Sequence, residues 1–512
     1  MKIKILAVIV FIFALSLRLW NFNQMGRWWD EYWYQEKGYY LMELIKKGDF
    51  FNSYWYKAAA DHPTLSNYFY GLASYKDLVR YDLNSKPVAQ VSGMKKGAPV
   101  FNYDLTYSRL ISVIASSLAI VLVFLLASRY FSIFIGLTSS MIMSMLPHFL
   151  GLSQLVDLES WVMLTFTATV FSYFLYFEKN KKIFLILTGI FSGLSLAVKQ
   201  SDVLIFALLL TICYIWKKKS KIGKIKYFHL LYIFLIAVVS FIVVYPIPLL
   251  NLPVFLSSTY DVWFKNGGGI PELLFGVHLG APFFYYIIAF LVTTPLVILL
   301  LSFVGIKVAL DKKNNRLYLA IIAWFLVPFL LSFFHYRTNM VRFIIEFYAP
   351  LSILAAIGLE NLIKRFTKNL VLKYALIIPV FIYLSLILVS ITPFYLNYYN
   401  ELVGGTKNVY EKRLFFLGWF GEGLKAPGMY LANSAPKKSL IGLALNPEHV
   451  LYKVSSLNYE TFNPSKKYDY VVVNDYFITR NGFDVNLLKE EYYPIYEENA
   501  GGAILASVYK HK

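Results

Sequence analysis

Apolar residues recur in eleven runs, near 5–20, 108–128, 131–147, 159–177, 183–198, 202–216, 228–247, 283–305, 317–334, 341–361 and 373–392. A straight helix needs about 20 apolar residues to cross a hydrocarbon core of about 30 Å, and most of these runs approach that length. Several are short, which predicts broken helices or flanking interfacial aromatics. Between the first two runs lies a polar, Trp- and Tyr-rich stretch, 21–107, with RWWDEYWYQEKGYYLMELIKKGDF at 27–50 and YWYKAAADHPTL at 54–65. Its apolar positions at helical spacing predict short helices lying on a membrane surface. Residues 393–512 contain no run of spanning length, and SLIGLAL, YDYVVVN and GAILASVY read there as strands. The pattern predicts an all-α polytopic membrane domain over 1–392, with about eleven transmembrane helices and a first outer loop at 21–107. A small external C-terminal α/β domain over 393–512 follows it. No repeat of fixed period and no low-complexity tract is present.

Composition agrees with that reading. Of 512 residues, 58% are hydrophobic, above the roughly 45–50% of a soluble domain, and mean hydropathy is +0.54. The single cysteine, Cys213, excludes a disulfide framework and a Cys-rich metal or iron–sulfur site. Net charge is +19, and its placement decides what it means. With Met1 in the cytoplasm, the inner connections hold 20 Lys and Arg against Glu178 and Asp311. The positive-inside rule then puts the N-terminus in the cytoplasm and, with an odd number of spans, the C-terminus outside. The basic excess is a topology signal, which leaves nucleic acid binding without support. The first run resembles a signal peptide with a cleavage triplet at 14–16, but Arg18 and Trp20 anchor it as a retained helix. Lys-, Ile-, Asn- and Tyr-rich usage fits a prokaryote and hence the plasma membrane.

Chemistry collects on the outer side. Arg18, Asp30, Glu31, Asp61, His62, Arg109, Asp157, Glu159, Lys199, His278, His335, Arg337, Arg342 and Glu346 all map there. Ionisable groups at a membrane boundary cost free energy unless paired or wetted, so their concentration predicts a polar cavity opening outward. Asp30 and Glu31, among Trp28, Trp29, Tyr32 and Trp33, can supply a general base beside a second acceptor or metal ligand. Pro63 holds His62 extended, although an Asp-His pair such as Asp61-His62 also serves as a cap. Lys199, Arg337 and Arg342 offer cations; a guanidinium matches phosphate oxygens, while the bland alternative is headgroup snorkelling. Asp157 and Glu159 can act there or simply cap the helix that follows. No phosphate-cradling glycine loop, dinucleotide fingerprint, H-E-x-x-H or nucleophile elbow is present. A carboxylate base with outward cations in a membrane body fits a substrate carrying its own leaving group, such as a polyprenyl phosphate sugar.

With RLW at 18–20, the acidic pair Asp30-Glu31, DHPTL at 61–65, LPHFLGLSQLVDLES at 146–160, LAVKQSD at 196–202 and HYRTNMVRFIIEFYAPL at 335–351, the chain resembles the C-superfamily (GT-C fold) membrane glycosyltransferases. Within them it resembles specifically the protein O-mannosyltransferase-like group that includes the lipid A aminoarabinose transferase. The resemblance implies transfer of a sugar from a lipid phosphate with inversion. It implies Asp30 as the catalytic acidic residue with Glu31 beside it, His62 near donor or acceptor, Arg342 at the donor phosphate, and Lys199 as a weaker match. Thr64 departs from a second proline common in relatives, and an inserted stretch near 76–104 lengthens the first outer loop. The C-terminal domain does not resemble the β-trefoil of eukaryotic protein mannosyltransferases.

The expectation is therefore a hexosyl- or pentosyltransferase using a polyprenyl-phosphate sugar on the outer face. Asp30 and Glu31 are the catalytic candidates. Arg342, Lys199 and Arg337 are the donor-phosphate candidates, and Asp61, His62 and Asp157 the substrate candidates. A divalent cation is left open, with Asp30, Glu31 and His62 as its candidate ligands. The acceptor is a protein, glycan or lipid hydroxyl. The alternatives are a transporter or flippase for lipid-linked sugars, against which the chain shows no two related halves with broken spans, and a non-catalytic scaffold.

Overall fold

The computed structural model describes residues 2–57, 62–81, 99–218, 228–261, 272–280, 282–312, 315–333, 340–366, 370–446, 450–454 and 456–512. Among these, three helices are long and apolar enough to cross a membrane: Thr106–Tyr130, Glu159–Lys179 and Arg342–Phe366. The helices Tyr285–Thr293 and Leu296–Asp311 reach that length and apolarity only together, bent by 114° at their break. Shorter apolar helices follow the remaining runs, among them Ile133–Met145, Lys182–Leu196, Phe228–Val244 and Ala375–Ile391. The first run forms Lys2–Leu19, an 18-residue helix that carries charge at both ends.

Prolines explain much of the difference between apolar runs and straight spans. Pro295 has no N–H to give the preceding turn and holds Thr294 extended at φ −90°, ψ 131°, which splits the run at 283–305. Pro147, at the first position of Pro147–Leu152, ends the run at 131–147 and starts a separate short helix. The helices meet tightly where glycines oppose one another. A Cβ on Gly305 would lie 1.8 Å from the Leu354 carbonyl oxygen, and one on Gly358 would lie 2.0 Å from that of Leu301.

The stretch after the first helix folds as Glu31–Lys47, crossing Leu65–Asp77. Gly38 and Gly71 face each other at that crossing: a Cβ on Gly71 would stand 2.2 Å from the Gly38 carbonyl oxygen. Gln35 Nε2 donates to Asp77 Oδ2 at 3.1 Å, and Asp77 Oδ2 also accepts from the Ser108 amide at 2.9 Å. These bonds tie the surface helices to the head of Thr106–Tyr130.

The C-terminal segment ends in a five-stranded mixed sheet. Its strands are β1 (Leu440–Ala444), β2 (Asn458–Thr461), β3 (Tyr470–Asn474), β4 (Tyr492–Ala500) and β5 (Ala503–His511), in spatial order β2-β1-β3-β5-β4. β1 pairs parallel with β2 and β3, and β5 pairs antiparallel with β3 and β4. β3 is buried along its whole length, as an apolar YVVVN run at the centre of a sheet requires. The segment is anchored to the loops that flank the surface helices. Lys425 Nζ donates to Asp104 Oδ1 at 2.6 Å and to the Asn23 carbonyl at 2.8 Å, and Tyr103 Oη donates to the Val450 carbonyl at 2.5 Å. Phe420 packs edge-on against Trp28, with ring centroids 4.0 Å apart.

Candidate active site

Two segments distant in sequence, 28–30 and 157–159, converge on one guanidinium. Arg342 opens the 3₁₀ turn Arg342–Phe347, which leads into the helix Tyr348–Phe366. Its Nη1 donates to Asp30 Oδ2 at 3.0 Å, its Nη2 to Asp157 Oδ1 at 2.7 Å and its Nε to Glu159 Oε1 at 2.9 Å. The planar fork presents its donors in fixed directions, so three carboxylates set its orientation completely. The Trp28 ring lies beneath it, 4.5 Å from centroid to Cζ. Lys199 Nζ stands 3.6 Å from Glu159 Oε1 and 4.6 Å from the centroid of the Phe343 ring.

Asp30 occupies the N-cap position of Glu31–Lys47, where an aspartate ordinarily accepts from the first turn of its own helix. Here its side chain makes no capping bond and reaches for Arg342 instead. It is the accessible member of the cluster: its side chain is 34% exposed, against 1% for Asp157 and for Glu159. Asp157 and Glu159 do not cap their helix either. Leu158 is the N-cap residue, with no side-chain capping bond, and Asp157 Oδ1 also accepts from its amide at 2.7 Å.

Glu31 points the other way. Fully buried, it accepts from Arg109 through both oxygens, Nε to Oε1 at 2.7 Å and Nη2 to Oε2 at 2.5 Å. It also accepts from the amides of Trp28 at 2.8 Å and Val156 at 2.9 Å. Its carboxylate thus joins the loop that carries Trp28 to the segment that carries Asp157, and so frames the cluster from behind. His62 lies apart from Arg342's bonds: its backbone carbonyl accepts from Lys37 Nζ at 2.8 Å, and its ring centroid is 6.1 Å from that of Tyr34. Asp61, His335 and Arg337 lie outside the described residues, and His278 is exposed on a short hairpin strand.

Beside Arg342 opens a partly enclosed cavity with about 440 Å³ of empty space, lined on its polar side by His148, Glu272, Asn397 and Glu422 and capped by Trp419 and Phe420. Burial pushes the Glu422 carboxyl up to about 7, although one oxygen accepts from the Phe420 amide at 2.9 Å. Among the described residues no group of three or more His, Cys, Asp or Glu side chains is arranged to hold a metal ion. Of the candidate ligands, Glu31 spends its oxygens on Arg109 and two amides, and Asp30 meets a guanidinium.

In the sequence Glu159 reads either as a site residue or as a helix cap, Glu346 stands among the outer ionisable residues with no role of its own, and Asp202 and Glu422 do not stand out. Asp202 falls inside LAVKQSD, three residues after Lys199, and that spacing was the available signal. Glu422 is in the C-terminal segment, where no apolar run marks a membrane edge.

Residues 8–258 match the family model described as dolichyl-phosphate-mannose-protein mannosyltransferase. No curated protein sequence matches the chain. Among solved structures, the fold is similar to apo ArnT from Cupriavidus metallidurans, with TM-score 0.51 and 12% identity over 99% of this chain and 98% of that one. ArnT bound to undecaprenyl phosphate gives TM-score 0.50 and 12% identity over 99% of this chain and 97% of that one. The archaeal oligosaccharyltransferase AglB from Archaeoglobus fulgidus, in complex with an inhibitory peptide and a dolichol-phosphate, gives TM-score 0.50 and 14% identity over 100% of this chain and 74% of that one. The chain thus shares the fold of these solved structures, and its residues 8–258 carry the protein mannosyltransferase pattern.

Proposed function

We propose that the protein transfers a sugar from a polyprenyl-phosphate donor to an acceptor hydroxyl on the outer face of a prokaryotic plasma membrane, with inversion at the anomeric carbon. One observation carries the reading: an accessible aspartate at a helix start forgoes its cap to face a buried arginine. In the reaction, Asp30 takes the proton of the acceptor hydroxyl. The oxygen bonds to the anomeric carbon, the bond from that carbon to the phosphate oxygen breaks, and its electron pair stays on the phosphate. Arg342 and Lys199 face the charge that develops there, and preorganised cations of this kind contribute most in a water-poor site. Asp157 and Glu159 orient Arg342, and Glu31 frames the loop.

The lysine distribution supports a cytoplasmic N-terminus, about eleven spans over 1–392 and an extracytoplasmic domain over 393–512. In this reading the first outer loop, 21–107, carries Asp30 and faces the acceptor, a hydroxyl on a protein, a glycan or a lipid. The solved structures of ArnT with undecaprenyl phosphate and of AglB with a dolichol-phosphate support the donor class.

The test is release of free polyprenyl phosphate from a labelled polyprenyl phosphate sugar by the purified protein with membrane acceptors, wild type against Asp30→Asn. Release that falls by about 10²–10⁴ in the variant, with donor binding kept, supports the reading. Donor binding without release, unchanged by the substitution, overturns it in favour of a lipid-linked sugar transporter.

A further inference from the structure

The cavity beside Arg342 is walled mostly by segments that the proposed reaction leaves unused. They are the short helix Pro147–Leu152, the hairpin strand Glu272–Leu274, the turn Tyr395–Asn397 and the loop GWFGEG at 418–423. Its empty space of about 440 Å³ falls in the range of small-molecule sites. Arg342 lines it and Asp30 does not, so it adjoins the cation proposed for the donor phosphate rather than the proposed base.

The lining groups are held in place by bonds that point away from the cavity. His148 Nε2 lies 2.9 Å from the Tyr398 carbonyl oxygen. A carbonyl can only accept, so the proton is on Nε2, and Nδ1 of the neutral ring is an acceptor. Asn397 Oδ1 accepts from the Gly418 amide at 2.7 Å, which ties the start of the loop to the membrane domain. Trp419 Nε1 donates to Tyr476 Oη at 2.6 Å, and Arg480 Nη1 donates to the same oxygen at 2.7 Å, so the indole is fixed from outside. One oxygen of Glu422 accepts from the Phe420 amide at 2.9 Å. Between Trp419 and Glu422 the chain turns at Gly421 with φ +94°, and a Cβ there would overlap the Val450 side chain.

His148 Nδ1 and the carboxylates of Glu272 and Glu422 thus give this space hydrogen-bond acceptors, and Trp419 gives it an aromatic face. A sugar is the complement: O–H donors around the ring, and a slightly positive C–H face that rests on a π surface. An acidic sugar would instead bring another negative charge beside two buried carboxylates. We infer that this cavity holds the sugar of the donor, and that Glu422 and Trp419 make it specific for a sugar rich in free hydroxyls and without an acidic group. The inference rests on the donor reading proposed above, and it gives the C-terminal segment a direct part in substrate choice.

The experiment uses the full chain in lipid nanodiscs and three short-chain polyprenyl phosphodiesters, carrying a hexose, a hexuronate or only a methyl group. Their Kd values are measured for wild type, Glu422→Gln and Trp419→Ala at about pH 8, above the value of about 7 at which Glu422 ionises. Wild type should bind the hexose about tenfold or more tightly than the methyl diester, and the hexuronate about tenfold more weakly than the hexose. Trp419→Ala should bring the hexose and the methyl diester within about threefold of each other. Glu422→Gln should narrow the gap between hexose and hexuronate to about threefold or less, and both variants should keep the methyl diester within about twofold of wild type. Equal binding of hexose and methyl diester by wild type overturns the sugar pocket and leaves the donor reading standing, as does a hexuronate bound as tightly as the hexose. Variants that weaken all three diesters alike mark a merely structural role and overturn it too. A wild type that binds none of the three overturns the donor reading, and the pocket's role with it.

Discussion

Arg342 and Asp30 stand 312 positions apart in sequence and 3.0 Å apart in space, the arginine on a turn inside an apolar stretch and the aspartate at the start of a surface helix. In the proposed reaction the pair brings together a base for the acceptor and a cation for the leaving phosphate before any substrate is bound. Because Nη1 is the only Arg342 atom bonded to Asp30, a phosphate can displace that one bond while Asp157 and Glu159 keep their hold through Nη2 and Nε.

Arg342→Lys keeps the charge but offers a point donor that cannot satisfy three carboxylates at once. The expected loss in kcat/KM is about 10²–10³, in the range found when one preorganised electrostatic donor is removed. Steady-state kinetics with saturating acceptor checks it. A loss below about fivefold would mean that charge alone matters there and that the fork geometry does not.

Much of the cluster was legible because a charged residue inside an apolar run announces itself. Arg342 in VRFIIEFYAPL, Lys199 in LAVKQSD and the Asp30-Glu31 pair after the first run all stand out by composition alone. What the sequence hid was direction. Adjacent residues at a helix start diverge by about 100° around the axis, so Asp30 meets Arg342 while Glu31 meets Arg109 on the opposite side. Asp157 and Glu159 read equally well as caps, and only the distant Arg342 reveals that their carboxylates are engaged elsewhere. Partners 183 and 185 positions away leave no local trace. Spans were legible as apolar stretches but not as straight helices, because the bend at Thr294-Pro295 depends on how the flanking helices pack.

The divergence of Asp30 and Glu31 makes a pair of amide substitutions informative. Asp30→Asn should cut turnover by about 10²–10⁴ and leave thermal stability near wild type, since the side chain is partly exposed and bonds to Arg342. Glu31→Gln removes the charge from a fully buried ion pair and leaves Arg109 uncompensated, at a cost of about 3–5 kcal/mol. Thermal unfolding in nanodiscs should therefore show Glu31→Gln melting well below Asp30→Asn. Equal melting temperatures would show that the Phe22 and Gly26 carbonyls, which already accept from Arg109, hold the guanidinium without the charge of Glu31.

Gly71→Ala tests whether the crossing of the two surface helices sets the position of Asp30. The added methyl would collide with the Gly38 carbonyl, and backbone cannot swing aside as a flexible side chain can. Overpacking of this kind costs about 1–3 kcal/mol. The expected outcome is a lower melting temperature together with reduced kcat, because Glu31–Lys47 must shift and takes its N-cap aspartate with it. Loss of stability with kcat intact would separate the crossing from the site.

Glu422 gives the protein a stability that depends on pH, and the sign follows from burial. Its carboxyl is pushed up to about 7 from an ordinary value of 4.5, so between those limits the folded protein holds a proton that the unfolded chain releases. Folding is therefore favoured at the acid end, and that contribution is lost as pH rises through about 7. The difference amounts to about 3 kcal/mol for this fully buried group. Glu422→Gln keeps an oxygen for the Phe420 amide and removes the titration. Wild type should consequently lose melting temperature relative to Glu422→Gln on going from about pH 5 to about pH 8, with the two closest at the acid end. A constant gap across that range would mean that the carboxyl is wetted from the adjoining cavity and titrates as it does in the unfolded chain.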